Sequence, residues 1–141
     1  MTPWMFRDYV TADDHDVFDE WYSAQDDAVQ AALDATLYLL RATNDWLDER
    51  VGEFKQLTGK HAGLSEIMFD IQARQPGGRQ WTKRRFRPAG LWRPEQRDFI
   101  LFVGCEKRLR GLIYIPAGAF DRALEYKVAF EQGKGGLRER L

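Results

Sequence analysis

Residues 1–132 are predicted to form one α+β domain, a small antiparallel sheet with an N-terminal helix pair and a C-terminal helix. A flexible tail is expected at 133–141. Three observations carry this prediction. Apolar residues recur at helical spacing early in the chain and switch to alternation after 59–63. Helical patterns come first and strand patterns later, the order expected when helices cover one face of an antiparallel sheet. The charge divides the same way: residues 1–53 hold 13 acidic and 3 basic residues, and residues 54–141 hold 9 and 18. A segment near −10 is thus joined to one near +9, and the net charge of −1 hides both.

The elements follow in order. Residues 4–10 (WMFRDYV) are short and aromatic and read as a strand. Asp13, Asp14 and Asp16 crowd the entry to a first helix, where the helix dipole favours carboxylates, and Val17, Phe18, Trp21 and Tyr22 form its apolar stripe. Ser23 is the candidate cap of a second helix with Val29, Leu33, Leu37 and Leu40 on one face and Asp26, Asp27, Gln30, Asp34 and Arg41 on the other. Trp46, Leu47, Val51, Phe54 and Leu57 continue the apolar pattern in a looser, partly helical stretch. Residues 64–73 then alternate, with Ile67, Phe69 and Ile71 opposite Glu66, Met68 and Asp70. A turn at 75–78 leads to a strand at 81–87, and 88–94 reads as a proline-bounded loop. Residues 98–106 (DFILFVGCE) are nearly all apolar, as in a strand covered on both faces. Residues 111–115 are a short strand or an extended loop. Phe120, Leu124 and Val128 mark the last helix, which Gly133-Lys134-Gly135-Gly136 ends.

Composition sets limits. A chain of 141 residues with 44% hydrophobic residues can bury a core without metals or disulfides. Cys105 is the only cysteine, which excludes an intrachain disulfide and fits a reducing compartment. No apolar run approaches the roughly 20 residues of a membrane span. Residues 1–16 lack the basic start and apolar middle of a signal peptide. The expectation is a cytoplasmic protein with no membrane partner.

Within 71–110 eleven basic residues face only Glu95, Asp98 and Glu106, which makes nucleic acid the first candidate partner. The alternative is that the two halves neutralise each other within the fold. Lys83-Arg84-Arg85-Phe86-Arg87 is the sharpest local signal. In a strand, Lys83, Arg85 and Arg87 share a face at spacings of about 6.6 Å, near that of successive phosphates, while Phe86 turns to the core and Arg84 snorkels. Cross-strand pairing of these cations with Glu66 and Asp70 is the competing explanation. Lys107, Arg108 and Arg110 follow the apolar strand, as part of a site or as a solvated loop. Trp81 and Trp92 could stack on bases or plug the core. His15 and His61 have no ligand-type neighbours at metal spacing, Cys105 reads as an inert core thiol, and the glycine-rich 133–136 stretch lacks the strand and helix of a phosphate loop. No metal or cofactor is expected.

Several short patterns occur in a telling order: Lys55-Gln56-Leu57-Thr58-Gly59, then Gly63-Leu64-Ser65-Glu66-Ile67, a basic strand, an apolar strand ending Val103-Gly104-Cys105-Glu106-Lys107, and a closing helix. Over residues 4–132 this resembles the RelE/HigB superfamily of toxin–antitoxin toxins, especially its phage-derived HigB-like branch. The resemblance implies a type II toxin that cleaves mRNA on the ribosome without metal and is held by a cognate antitoxin protein. It implies Arg85 and Arg87 at the scissile phosphate and Lys107 or Tyr114 in proton transfer. Lys83, Arg84, Arg108, Arg110 and Trp92 would hold the RNA. The chain departs from the family pattern at Met68, where an arginine is expected, and in its acidic first half. The alternative is a non-catalytic, phage-related protein of the same fold that binds RNA or protein. A proton-transfer residue beside Arg85 and Arg87 would separate the two.

Overall fold

The structure is a computed structural model that describes residues 2–74, 77–78, 80–108 and 113–141. Strand β1 (Met5–Val10) leads to helices α1 (Val17–Ser23) and α2 (Asp27–Arg41). Each helix starts at an aspartate whose side chain accepts from a backbone N–H of the first turn: Asp16 from Asp19 and Asp26 from Val29. Val29, Leu33, Leu37 and Leu40 form the buried stripe of α2, as their spacing predicts. Ser23 is instead the last residue of α1.

The rest of the chain supplies nine of the strands and one helix among the described residues. β2 (Phe54–Gln56) precedes a 3-10 turn at Gly59–His61, and β3 (Ser65–Ile67), β4 (Phe69–Arg74), β5 (Trp81–Phe86), β6 (Ala89–Arg93), β7 (Asp98–Val103), β8 (Glu106–Arg108) and β9 (Ile113–Ile115) follow. Helix α3 (Ala119–Glu131) and strand β10 (Gly136–Glu139) complete the order.

The α+β class holds, but the small antiparallel sheet is replaced by two sheets. One has six strands in the order β10-β1-β7-β6-β3-β2, with β1 parallel to β7, and the other has four in the order β4-β5-β8-β9. The division arises because three long segments each bend from one sheet into the other, at Met68, at Arg87-Pro88 and at Gly104-Cys105. Backbone bonds stitch the bends together: Ile67 N–H donates to Pro88 O at 2.8 Å and Arg87 N–H to Cys105 O at 2.9 Å. The segments keep one lateral order through the bend, β3-β6-β7 on one side and β4-β5-β8 on the other.

Three other expectations change. The loop at 88–94 is largely strand β6. The partly helical stretch before residue 57 ends in strand β2. The flexible tail at 133–141 contains β10, which extends β1 antiparallel and satisfies the backbone groups of what would otherwise be an open edge. Of the expected turn at 75–78, Gln75 and Pro76 lie outside the described residues, but β4 and β5 pair from Arg74↔Trp81 to Phe69↔Phe86.

The six-stranded sheet is covered on both faces. On one side α2 meets Phe6, Trp46, Phe54, Ile67, Phe99 and Leu101. On the other, Phe120 and Ala123 of α3 meet Tyr9, Leu64, Ile100 and Phe102. Every residue of β7 is therefore buried. The four-stranded sheet is covered by α2 on the face of Phe69 and Phe86. Among the described residues no helix is long and apolar enough to cross a membrane.

Candidate nucleic-acid interface

Strand register sorts the candidate residues by face. Residues directly opposite one another in a sheet share a side. Asp70 lies opposite Arg85, Arg85 opposite Lys107, and Lys107 opposite Tyr114, so these four form one row across the four-stranded sheet. Lys83 opposite Gln72 and Trp81 opposite Arg74 extend the same face along β5 and β4. Three of the four residues that the resemblance places at the reaction centre, Arg85, Lys107 and Tyr114, thus stand side by side although they come from different strands.

This face is open and basic. Arg74, Lys83 and Arg85 are exposed and Lys107 is half-buried. Trp81 is 59% exposed, with the Arg74 guanidinium 5.4 Å from its ring centroid. Asp70 is the single carboxylate on the face among the described residues. It sits 3.8 Å from Lys83 Nζ and accepts from Arg87 Nη1 at 3.2 Å. The competing explanation is therefore right for part of the cluster and leaves Arg85 and Lys107 without an ion pair among the described residues.

The other candidates are occupied elsewhere. Arg87 does not join Arg85 on the open face. Only 9% exposed, it stands at the bend and donates to Asp70 and to Phe86 O at 2.7 Å. Arg84 lies on the opposite side, where it grips Glu106 through two bonds of 3.0 and 2.8 Å, stacks on Phe86 and approaches Asp26. Arg108 shares that side and donates to Glu106 at 3.1 Å. Burial pushes the Glu106 carboxyl up, but the bonds from Arg84 and Arg108 outweigh it and hold the group below its usual range. Trp92 is not a stacking platform: it packs between Trp4 and Phe54 at the edge of the α2 core. Arg110 lies outside the described residues. Met68, where an arginine was expected, lines a cavity of about 360 Å³ at the bend together with Asp70 and Arg87.

Two features escape a reading of the sequence. Glu66 is only 5% exposed, and its Oε2 has no hydrogen-bond partner among the described residues. Burial raises its pKa, against the pull of Arg87, Lys55 and Lys107. Its field, after burial itself, also raises the Tyr114 pKa, so the phenol holds its proton firmly. Alternation in 64–73 places Glu66 opposite the core face but carries no sign that the other face is covered too. The second feature is a His61–Asp121 pair at 2.9 Å, close to Tyr114. The two residues are 60 positions apart, and no sequence signal joins them. Cys105 is buried and its pKa is pushed up to about 12, chiefly by burial, so the thiol is inert as expected.

Comparison of the chain with protein-family models, with curated proteins and with solved structures finds no match.

Proposed function

We propose that the open face of the four-stranded sheet binds single-stranded RNA. The observation that carries this reading is the set Trp81, Lys83, Arg85 and Lys107, one exposed aromatic and three cations on a single face of a rigid sheet. Cations track the phosphates and the indole offers a stacking surface that any base can use. The strand spacing of about 4.8 Å and the two-residue rise of about 6.6 Å give the cations a pitch suited to a nucleotide backbone. The experiment is fluorescence anisotropy with single-stranded RNA over a salt series. Changing Lys83, Arg85 and Lys107 together to Ala should weaken binding and reduce the log–log salt slope by about 2, at about 0.7 per lost phosphate contact. An unchanged slope and affinity would remove this face from consideration.

A second reading adds cleavage, as the likeness to RelE/HigB toxins implies, with ribosome-bound mRNA as substrate and an antitoxin as partner. The observation favouring it is Tyr114 next to Lys107. A phosphate over Lys107 would have Arg85 on one side and Tyr114 on the other, each about 4.8 Å away in backbone spacing. In the reaction the ribose 2′-oxygen attacks phosphorus and the P–O5′ bond breaks. The 2′ proton passes to a base, and the departing 5′-oxygen takes a proton, leaving a 2′,3′-cyclic phosphate. Arg85 stabilises the developing charge. Tyr114 stays protonated at neutral pH and stands next to Lys107, which places it to act as the proton donor. Tyr114→Phe should then slow cleavage of ribosome-bound mRNA by about 100-fold or more while leaving RNA affinity in place. Equal cleavage by both proteins would exclude the tyrosine as the acid.

A further inference from the structure

At the end of the Arg85–Lys107–Tyr114 row lies a cavity of about 300 Å³, lined by residues that include His61, Tyr114, Ala117, Phe120 and Asp121. Tyr114 is both the last residue of the row and part of the cavity wall, so the two are continuous. The volume is at the small end of clefts that hold small organic ligands. Its walls are aromatic. The Tyr114 and Phe120 rings are 4.6 Å apart at 51°, and His61 meets Phe120 edge-on at 5.4 Å. Its rim is polar: Asp121 Oδ1 lies 2.9 Å from His61 Nε2 and 3.2 Å from Lys60 Nζ. Lys60 Nζ also reaches Asp121 Oδ2 at 3.4 Å; a carboxylate has about four lone-pair sites, so Asp121 keeps acceptor capacity after these three contacts, and Lys60 keeps donors.

Flat apolar faces with a hydrogen-bonding edge are what an unpaired base presents. The cavity offers the complement of both, one strand spacing of about 4.8 Å from the cation over which a phosphate would lie. We propose, on the basis of the RNA-binding reading above, that this cavity receives one nucleobase of the strand whose phosphates run along Arg85 and Lys107. The nucleotide over Lys107 turns its base towards Tyr114 and Phe120, and the His61–Asp121–Lys60 rim bonds the base edge.

The test uses a short RNA strand and a set of otherwise identical strands, each with one abasic nucleotide, bound to the full chain. In the wild-type protein one abasic position should cost about tenfold in affinity, the weight of one base–aromatic stack. Ala117→Phe, an exposed wall residue enlarged to fill the cavity, should bind the intact strand about tenfold more weakly and show no further loss at that position. His61→Ala, which opens the same wall without adding volume, should also shrink the abasic penalty there. The proposal is overturned if no abasic position matters, or if the penalty is the same in the wild type and both variants. If the Lys83, Arg85 and Lys107 variant loses binding in that case, the RNA reading stands and the base pocket alone falls. If the intact strand does not bind the wild type, both fall.

Discussion

Arg140 shows how much a single residue can organise. Its guanidinium grips both oxygens of Asp8 at 2.7 Å and donates to Asp19 at 2.6 Å, while lying over the rings of Phe18 and Tyr22. Asp8 is 2% exposed, so this fork is what makes its burial tolerable. Arg140→Ala leaves a buried carboxylate without its cation and should cost about 3–5 kcal/mol, read as a fall in the urea midpoint. Arg140→Lys should recover only part of that loss, because an ammonium cannot form the planar fork. Asp16, beside Asp8, gives a pH signature. Burial, then the neighbouring Asp8 carboxyl, pushes its pKa up to about 7. The folded state therefore holds this proton more tightly than the unfolded chain, and the stability it contributes is lost as pH rises from about 4 through 7. Asp16→Asn keeps an oxygen for the Asp19 N–H and cannot titrate. Its thermal midpoint relative to wild type should climb between pH 4 and 7 and level off above. A constant difference across that range would show that Asp16 does not titrate there. Arg84 and Arg85 are adjacent, yet one is clamped to Glu106 and the other, on the open face, has no ion pair among the described residues; they differ in which side of a strand they occupy.

Among the elements, the bent strands are what create the candidate site, because each carries its chain from the covered six-stranded sheet into the half-open four-stranded one. Two glycines allow the close packing, Gly104 at a bend and Gly90 within β6 just after one. A Cβ on Gly90 would lie 1.8 Å from the Ile100 carbonyl oxygen, at the irregularity in the β6–β7 register. A Cβ on Gly104 would lie 2.1 Å from the Trp21 ring. Gly90→Ala should destabilise by about 3 kcal/mol or more, since backbone cannot give way. Gly104→Ala should cost less, because a side chain at the α1 edge can move. Chemical denaturation of the two variants checks the order, and a Gly90→Ala protein as stable as wild type would contradict the packing described at β6. None of this is visible in the period-2 pattern of 64–73 or in the apolar run of 98–106. Alternation continues through a bend, so it reports strand but not which sheet the strand belongs to. The proline at 88 looked like a loop boundary and is instead part of a bend.

For the whole molecule, the split of charge has two fates. At one end the halves neutralise each other: Arg84 approaches Asp26, and Arg140 takes Asp8 and Asp19. On the open sheet face Arg85 and Lys107 have no ion pair among the described residues. Salt should separate these populations. Raising ionic strength from about 0.1 to 0.5 M shortens the screening length to about half. RNA affinity, which depends on exposed cations, should fall steeply. The thermal midpoint should move by only a few degrees, because the Asp8–Arg140 pair is buried and poorly screened. A midpoint that falls as steeply as the affinity would mean that exposed pairs hold the fold together.

The helices α2 and α3, the strand character of 64–73, 81–87 and 98–106, and the basic nature of β5 were legible from the residues alone. Each depends on side-chain periodicity or composition over a few neighbouring positions, which the chain carries wherever it packs. The partners were not legible. Arg84 meets Glu106 across 22 positions, His61 meets Asp121 across 60, and Arg140 meets Asp8 across 132. Whether a cation is clamped or free, whether Trp81 or Trp92 faces solvent, and whether 136–139 is tail or strand follow from which sheet edges meet and which faces the helices cover. Those are long-range contacts, settled by burial and backbone pairing across the whole chain, and only the tertiary structure decides them.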